Sequence, residues 1–279
     1  MTDKAFRFGV VAAAGGSGAD WQQTAKRAEE LGYSTLLSPD NLNLPTPTAA
    51  LAVAAAATTT LRVGSFVLAG PLRTPRAAAW EAHSLTQLTD GRFELGLGTG
   101  LPTMRQQAEE LGLPYGSGQD RLDQLSEAID HVRRLDGALN GGVHTPVMIA
   151  AGGPKARRLA AAKADIVALA GGVLTTRAEM AGYVQEIRTA AGARADDIEL
   201  SLNLFVVGDE APPWLSGFLG GLDAKTLIEH DSLTVLNGDL DAMTGELERR
   251  REELGVSYLS VNGAFLEAFA PVVERLAGK

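Results

Sequence analysis

The chain contains no cysteine, which excludes disulfides, thiolate catalysis and cysteine-ligated metals. Histidine is almost as scarce: His83, His131, His144 and His230 are scattered without ligand spacing, so no metal centre is expected. A basic excess is also missing. Lys and Arg number 25 against 34 Asp and Glu, and the net charge of −9 argues against nucleic acid or an anionic membrane as partner. No apolar run reaches the roughly 18 residues of a spanning helix. The opening MTDKAFRFGVV carries Asp3 and passes straight into a strand-like run, without a signal-peptide pattern, so a cytoplasmic protein is expected.

What remains is 279 residues, 45% of them hydrophobic, enough for a substantial core. Short Val/Leu/Ile-rich runs alternate with amphipathic stretches from end to end. Strands are expected over 7–14, 33–38, 61–69, 92–98, 146–151, 165–170, 198–207 and 257–262. Helices are expected over 20–32, 46–57, 75–89, 119–135, 154–164, 177–192, 240–255 and 265–278. Asp20 is read as the cap of the first helix with Gln23 as its reciprocal partner, Gly32 as the residue that ends it, and Pro47 as the opening of the second. Buried strands without strict polar alternation suit a parallel sheet covered by helices. Eight strand–helix units in this length match one closed (β/α)₈ TIM barrel over residues 1–279, with a doubly wound open sheet as the competing fold. Arg62 and Glu94 open adjacent strands and are expected to pair at the lower end of the barrel.

The segment TDGRFELGLGTG (89–100) poses a problem. Its strand closes on Gly96, Gly98 and Gly100, although glycine weakens a strand interior. Either another backbone packs close there, or a ligand approaches the main chain. GLGTG is not a dinucleotide fingerprint, because it follows the fourth strand and Pro102 occupies the place of a third glycine. A second small-residue turn, AAGGP (150–154), opens a helix with Lys155, Arg157 and Arg158 close by. Free N–H groups and the positive dipole end make such a start a ready phosphate site. In a barrel the two turns lie side by side at the C-terminal ends of the strands, where active sites form.

LRVGSFVLAGPLRTPRAAAWEAHSLTQLTDGRFELGLGTG and PVMIAAGGPKARRLAAAKADIVALAGG together resemble the luciferase-like superfamily, in particular its actinobacterial oxidoreductases that use the deazaflavin coenzyme F420. The resemblance implies a barrel holding a flavin-type ring at its mouth, with hydride passing between ring and substrate. It places a non-proline cis peptide near Phe66–Val67 in GSFVL, so that Ser65, Phe66 and Val67 meet the ring. Gly98, Thr99, Gly100, Ala151, Gly152 and Gly153 would line the ribityl-phosphate arm, and Asp40 with Asn41 would stand at the reacting centre. Sugar-phosphate dehydrogenases of the superfamily carry a histidine and a glutamate where this chain has Asn41 and Leu101. Without a base for a hydroxyl proton, reduction of an activated double bond is favoured over alcohol oxidation, with water, Asp40 or Tyr115 as proton source. The alternatives are an FMN-dependent monooxygenase and a non-catalytic flavin-binding protein. For a polyglutamate-tailed deazaflavin, Arg73, Arg76, Arg105 and Lys155 offer a basic rim. The expected partners are a small-molecule substrate and a second copy of the chain, the latter through the Ala-rich helices. Residues 41–47, 101–118 and 208–235 are expected to shape the substrate pocket, with Trp214 and Phe218 as apolar walls.

Overall fold

The computed structural model describes residues 4–139 and 142–279; Asp3 lies outside the described residues. Eight parallel strand positions close into a barrel: β1 (Arg7–Val11), β2 (Thr35–Ser38), β3 (Arg62–Ser65) continued by β4 (Leu68–Ala69), β5 (Phe93–Gly98), β6 (Val147–Ala151), β7 (Ile166–Leu169), β8 (Glu199–Leu204) and β11 (Val256–Asn262). The short β9 (Val206–Val207) and β10 (Val235–Leu236) form a separate parallel pair above β8. Closure comes from β5, which pairs with β3 through Val63↔Phe93 and with β6 through Leu95↔Val147. A doubly wound sheet would leave two free edges, so the open alternative is excluded.

The helices follow the apolar periodicity of the sequence: α1 (Gly18–Glu30), α2 (Pro47–Ala57), α3 (Pro75–Leu88), α5 (Gly118–Leu139), α6 (Pro154–Lys163), α7 (Arg177–Ala191), α9 (Leu240–Leu254) and α10 (Leu266–Leu276). Two short helices, α4 (Met104–Glu110) and α8 (Ala224–Glu229), sit in loops where none was expected. The first cap differs from the sequence reading. Ser17, not Asp20, is the N-cap, and Asp20 is the reciprocal partner three residues on, accepting from the Ser17 N–H at 2.9 Å. A serine hydroxyl both accepts from the helix and leaves the carboxylate free to reach back, which Asp20 as cap with Gln23 would not achieve. Gly32 (φ +80°) and Pro47 take the expected places.

Alternation along the strands sorts two cores. Outward residues such as Phe8, Leu36, Val63, Phe93, Ile149 and Val167 pack under the helices, with Trp21 donating its indole N–H to the Ala50 carbonyl to join α1 to α2. Inward residues fill the lumen in levels. At the floor, Glu94 is 3% exposed and accepts from Arg7 at 2.8 Å and from the expected partner Arg62 at 2.7 Å, while Arg7 also reaches Glu199 at 2.6 Å. Above them the Arg7 guanidinium lies 3.6 Å over the Tyr258 ring, whose phenol burial pushes well above its ordinary range. Leu37, Met148 and Ile166 complete this level. No helix among the described residues is long and apolar enough to cross a membrane.

Two outcomes follow. Glu94→Ala takes from Arg62 the only carboxylate it meets among the described residues and leaves Arg7 with Glu199 alone, and is expected to destabilise the barrel by about 3 kcal/mol in denaturant unfolding, with a near-normal midpoint counting against the network. Glu29 meets the backbone N–H groups of Thr59, Thr60 and Leu61; burial alone would raise its carboxyl, but these donors and the Thr60 hydroxyl bring it down to about 2. A lowered folded-state value means stability present above the unfolded value near 4.5 and lost as pH falls toward 2. The advantage of the wild type over Glu29→Gln is therefore expected to be constant above about pH 5 and to shrink across that window.

Candidate active site

The glycines of β5 are answered by the strand beside them. From Val63↔Phe93 to Leu68↔Leu97, five residue steps on β3–β4 (63 to 68) oppose four on β5 (93 to 97), so one extra residue must be thrown out of the ladder. The bulge contains the cis Phe66–Val67 peptide expected from the family resemblance. It presses against β5 so closely that a Cβ on Gly96 would stand 2.0 Å from the Ser65 carbonyl oxygen, and one on Gly98 2.6 Å from Val67 Cγ2. Between them the Ser65 hydroxyl replaces the missing ladder bonds, accepting from the Gly96 N–H and donating to the Gly96 carbonyl, both at 2.9 Å. Close packing of the bulge, by backbone at Gly96 and by the Val67 side chain at Gly98, thus accounts for both glycines, and Ser65 sits inside the wall at 1% exposure. Gly100 (φ +77°) turns the chain against Pro71, a conformation only glycine adopts cheaply.

On the other side of the bulge stands Asp40. Its carboxylate accepts from Arg73 at 2.6 and 3.1 Å and from the Ala69 N–H at 2.8 Å, and its side chain is 5% exposed. This clamp ties the β2 loop to β4 and takes Arg73 out of any free basic rim. Asn41 folds back on its own loop, accepting from the Asn43 N–H, and Gln107 of α4 accepts from the Leu42 N–H at 2.9 Å, so α4 tethers the same loop from above. Tyr115 donates to the Leu101 carbonyl at 3.0 Å, while Arg105 and Arg121 lie 4.6 and 4.2 Å over its ring.

Beside β5, the small-residue end of β6 leads into α6. Gly153 is its N-cap and makes no side-chain cap, Pro154 occupies the first turn, and Gly152 and Gly153 are exposed. Lys155 donates to Gln119 at 3.0 Å, bringing the start of α5 against the start of α6, while Arg121 turns away to the Gly116 carbonyl and the Tyr115 ring. Arg157 faces inward, donating to Glu186 and to the Gly152 carbonyl. Gly152 is itself confined: a Cβ there would be 2.9 Å from the Ala170 carbonyl oxygen.

A cavity of about 190 Å³ opens at the mouth among the bulge and the ends of β6, β7 and β8. Phe66, Val67, Ala150 and Ala168 form its inner wall; Gly171, Gly172, Thr175 and Met180 of the β7–α7 turn, with Phe205, Leu233 and Thr234, form the outer one. Of the residues singled out from the sequence, Phe66 and Val67 line this cavity. Gly98 is covered by Val67, Ala151 points into the helix layer, and Gly152 and Gly153 stand at the adjoining helix start. The β7 turn and Asn203 went unread, although LAGG (169–172) repeats the AAGG pattern one strand earlier and was the available signal. Trp214 and Phe218 are 58% and 63% exposed and stand outside the wall, where Phe205 and Leu233 take the role expected of them.

This barrel, with its bulged third strand and glycine-lined mouth, matches the family model described as luciferase-like monooxygenase over residues 5–212, and the chain belongs to that family. The uncharacterized protein Rv0940c of Mycobacterium tuberculosis (strain ATCC 25618 / H37Rv) is 33% identical over 129 residues, covering 38% of this chain and 44% of the relative. The match therefore spans less than half the length of the curated relatives. The F420-dependent tetrahydromethanopterin reductase of Methanopyrus kandleri superposes with a TM-score of 0.70 at 15% identity, over 98% of this chain and 100% of that one. An F420-dependent secondary alcohol dehydrogenase in complex with an F420–acetone adduct gives 0.74 at 18%, over 98% and 99%. A long-chain alkane monooxygenase gives 0.74 at 14%, over 99% and 92%. At these identities the likeness is one of fold, which is also shared by a Baeyer–Villiger monooxygenase of Pseudomonas putida solved in complex with FMN.

The steric account of β5 makes a direct prediction. Gly96→Ala has to push Ser65 aside and is expected to cost about 3 kcal/mol, whereas Gly153→Ala, with nothing within 4 Å of the added Cβ, leaves the unfolding midpoint nearly unchanged. Equal midpoints for the two variants would remove close packing as the reason for Gly96.

Proposed function

We propose that this chain is a deazaflavin-dependent oxidoreductase that holds coenzyme F420 across the barrel mouth and acts as a reductase toward an activated double bond of a small organic molecule. The observation that carries this reading is the juxtaposition of two unlike surfaces. The cavity wall contains no charged side chain, which suits a neutral, planar ring. The neighbouring α6 start has open amides and no acidic side chain in its first turn, which suits a phosphate. At 190 Å³ the cavity is smaller than the roughly 300–1,000 Å³ of a site that encloses a whole cofactor, so the arm has to leave it toward α6.

When bound, the deazaflavin supplies the hydride. The chain does the rest: Phe66 and Val67 would back the ring and exclude water, and the α6 amides would hold the arm. Asp40 acts as a positioning residue, fixing Ala69 and hence the bulge. Both Asp40 oxygens are taken up by Arg73 and the Ala69 N–H, and the Tyr115 hydroxyl is committed to Leu101, so water at the mouth is the proton source this reading uses. FMN fits the same two surfaces, and an FMN-dependent monooxygenase is the second reading, supported by the FMN-bound relative of the same fold. A second copy of the chain is proposed on α2 and α3, where Val53, Trp80 and Leu88 are 39%, 70% and 79% exposed.

Fluorescence titration of the purified chain with oxidised F420 and with FMN separates the readings. Micromolar FMN binding without a response to F420 overturns the deazaflavin, and no binding of either overturns the cofactor site. Gly153→Asp is the matched variant: aspartate is a preferred N-cap, so stability is expected to hold or rise, while its charge beside the phosphate is expected to cost about tenfold or more in cofactor affinity. For the interface, Trp80→Asp is expected to convert a dimer to a monomer in sedimentation, and a wild-type monomer refutes the second copy.

A further inference from the structure

Two side chains in the cavity wall, Thr175 and Asn203, have hydrogen-bonding groups that meet no partner among the described residues, and Asn203 is the one whose orientation a neighbour fixes. Thr175, Asn203 and Thr234 are the only polar side chains in the wall, and Thr234 shares its hydroxyl with Ser232 at 2.9 Å. Asn203 stands on the lumen side of β8, directly opposite Ser260 of β11 in the parallel register. The Ser260 hydroxyl donates to Asn203 Oδ1 at 2.8 Å, which fixes the amide plane. Asn203 Nδ2 meets no protein acceptor among the described residues, yet its side chain forms part of a wall that is otherwise almost wholly apolar. Such a donor is open to whatever enters the cavity, and a ligand that seals it from water without accepting from it leaves its N–H unpaired at a cost.

We infer that this cavity selects an uncharged ligand presenting a carbonyl-type oxygen, and that Asn203 Nδ2, oriented by Ser260, is the donor that receives it. The inference rests on the reading of the mouth as a redox site and extends it to the chemistry of what enters. A carboxylate or phosphate would lose its hydration against a wall with no cation to replace it, whereas a ketone, enone or amide oxygen needs one N–H. The same chemistry comes from two sources, a carbonyl of the redox ring or the carbonyl of an organic substrate. On a substrate the hydrogen bond draws electron density toward that oxygen and favours hydride arriving on the attached π system; on the ring it would fix the ring's place in the cavity.

The test uses the full chain with cyclohexanone and cyclohexanecarboxylate as size-matched probes, followed by calorimetry or saturation-transfer NMR. The ketone is expected to bind about tenfold or more tightly than the carboxylate. Asn203→Leu is expected to weaken the ketone about three- to tenfold, the worth of one neutral hydrogen bond, with the carboxylate unmoved. Ser260→Ala, which leaves the donor in place but frees it to rotate, is expected to give a smaller loss in the same direction and stands in should Asn203→Leu fail to fold. Adding oxidised F420 or FMN distinguishes the sources: loss of ketone binding assigns Nδ2 to the ring, and undiminished binding assigns it to the substrate. Equal or tighter binding of the carboxylate, wild-type ketone affinity in both variants, or no saturable ketone binding overturns the inference. Failure of both cofactors to bind, with the ketone behaving as expected, removes the redox reading and leaves the neutral-ligand pocket standing.

Discussion

The molecule turns on the near-contact between the bulge of β3–β4 and the face of β5. One additional residue between Val63 and Leu68 forces Phe66 and Val67 out of the ladder and into the lumen. That displacement is tolerated because Gly96 and Gly98 have no side chains to resist it, and because the Ser65 hydroxyl repairs the interrupted bonds. The bulge in turn becomes the inner wall of the cavity, and Asp40 secures its far end through Ala69 and Arg73. Barrel closure, site shape and the conformation of the second loop are therefore one steric arrangement.

Charge is sorted along the barrel axis in a way that supports this arrangement. The floor buries Glu94 between Arg7 and Arg62 and adds Glu199, so each ion there has a partner at hydrogen-bond distance. Removing one member would strand the others, which makes the lower end rigid more than it makes it stable. Above Tyr258 the lumen changes character, and by the level of Ala150, Ala168 and Asn203 no charge remains. A stiff ionic base thus lies beneath a cavity whose own lining is uncharged, with the Asp40–Arg73 pair set on the far side of the bulge.

The order of strands and helices was legible because buried parallel strands write continuous apolar runs and covering helices write a 3.6-residue stripe. Arg62 with Glu94 was legible for the same reason, since strand starts in a parallel barrel lie level. The meaning of Gly96 was only half legible: glycine announces a close approach, but the sequence does not say whether a neighbouring strand or a ligand makes it. Asp40 shows the converse limit. Its position after β2 marked it as a mouth residue, yet its partner Arg73 lies 33 residues away, and only the fold shows that the carboxylate is spent on holding the loop. Asn203 was not legible at all, because an asparagine within LSLNLFVV looks like a tolerated polar residue until Ser260 is placed opposite it.

The two glycine pairs at the ends of β6 and β7 show how little a motif fixes by itself. Gly152–Gly153 and Gly171–Gly172 both follow small residues and both precede a helix. Ahead of α7, Thr176 accepts from the Glu179 N–H, and Glu179 reaches back to the Thr176 N–H at 2.8 Å. Those amides are satisfied, and a carboxylate stands where an anion would have to sit, so the β7 turn serves as apolar wall to the cavity. Ahead of α6 there is no such residue: Gly153 brings no side chain, Pro154 brings no donor, and Arg157 is drawn inward to Glu186. The difference between the two glycine turns at neighbouring strands comes down to whether the helix supplies its own cap: α7 does, and α6 does not.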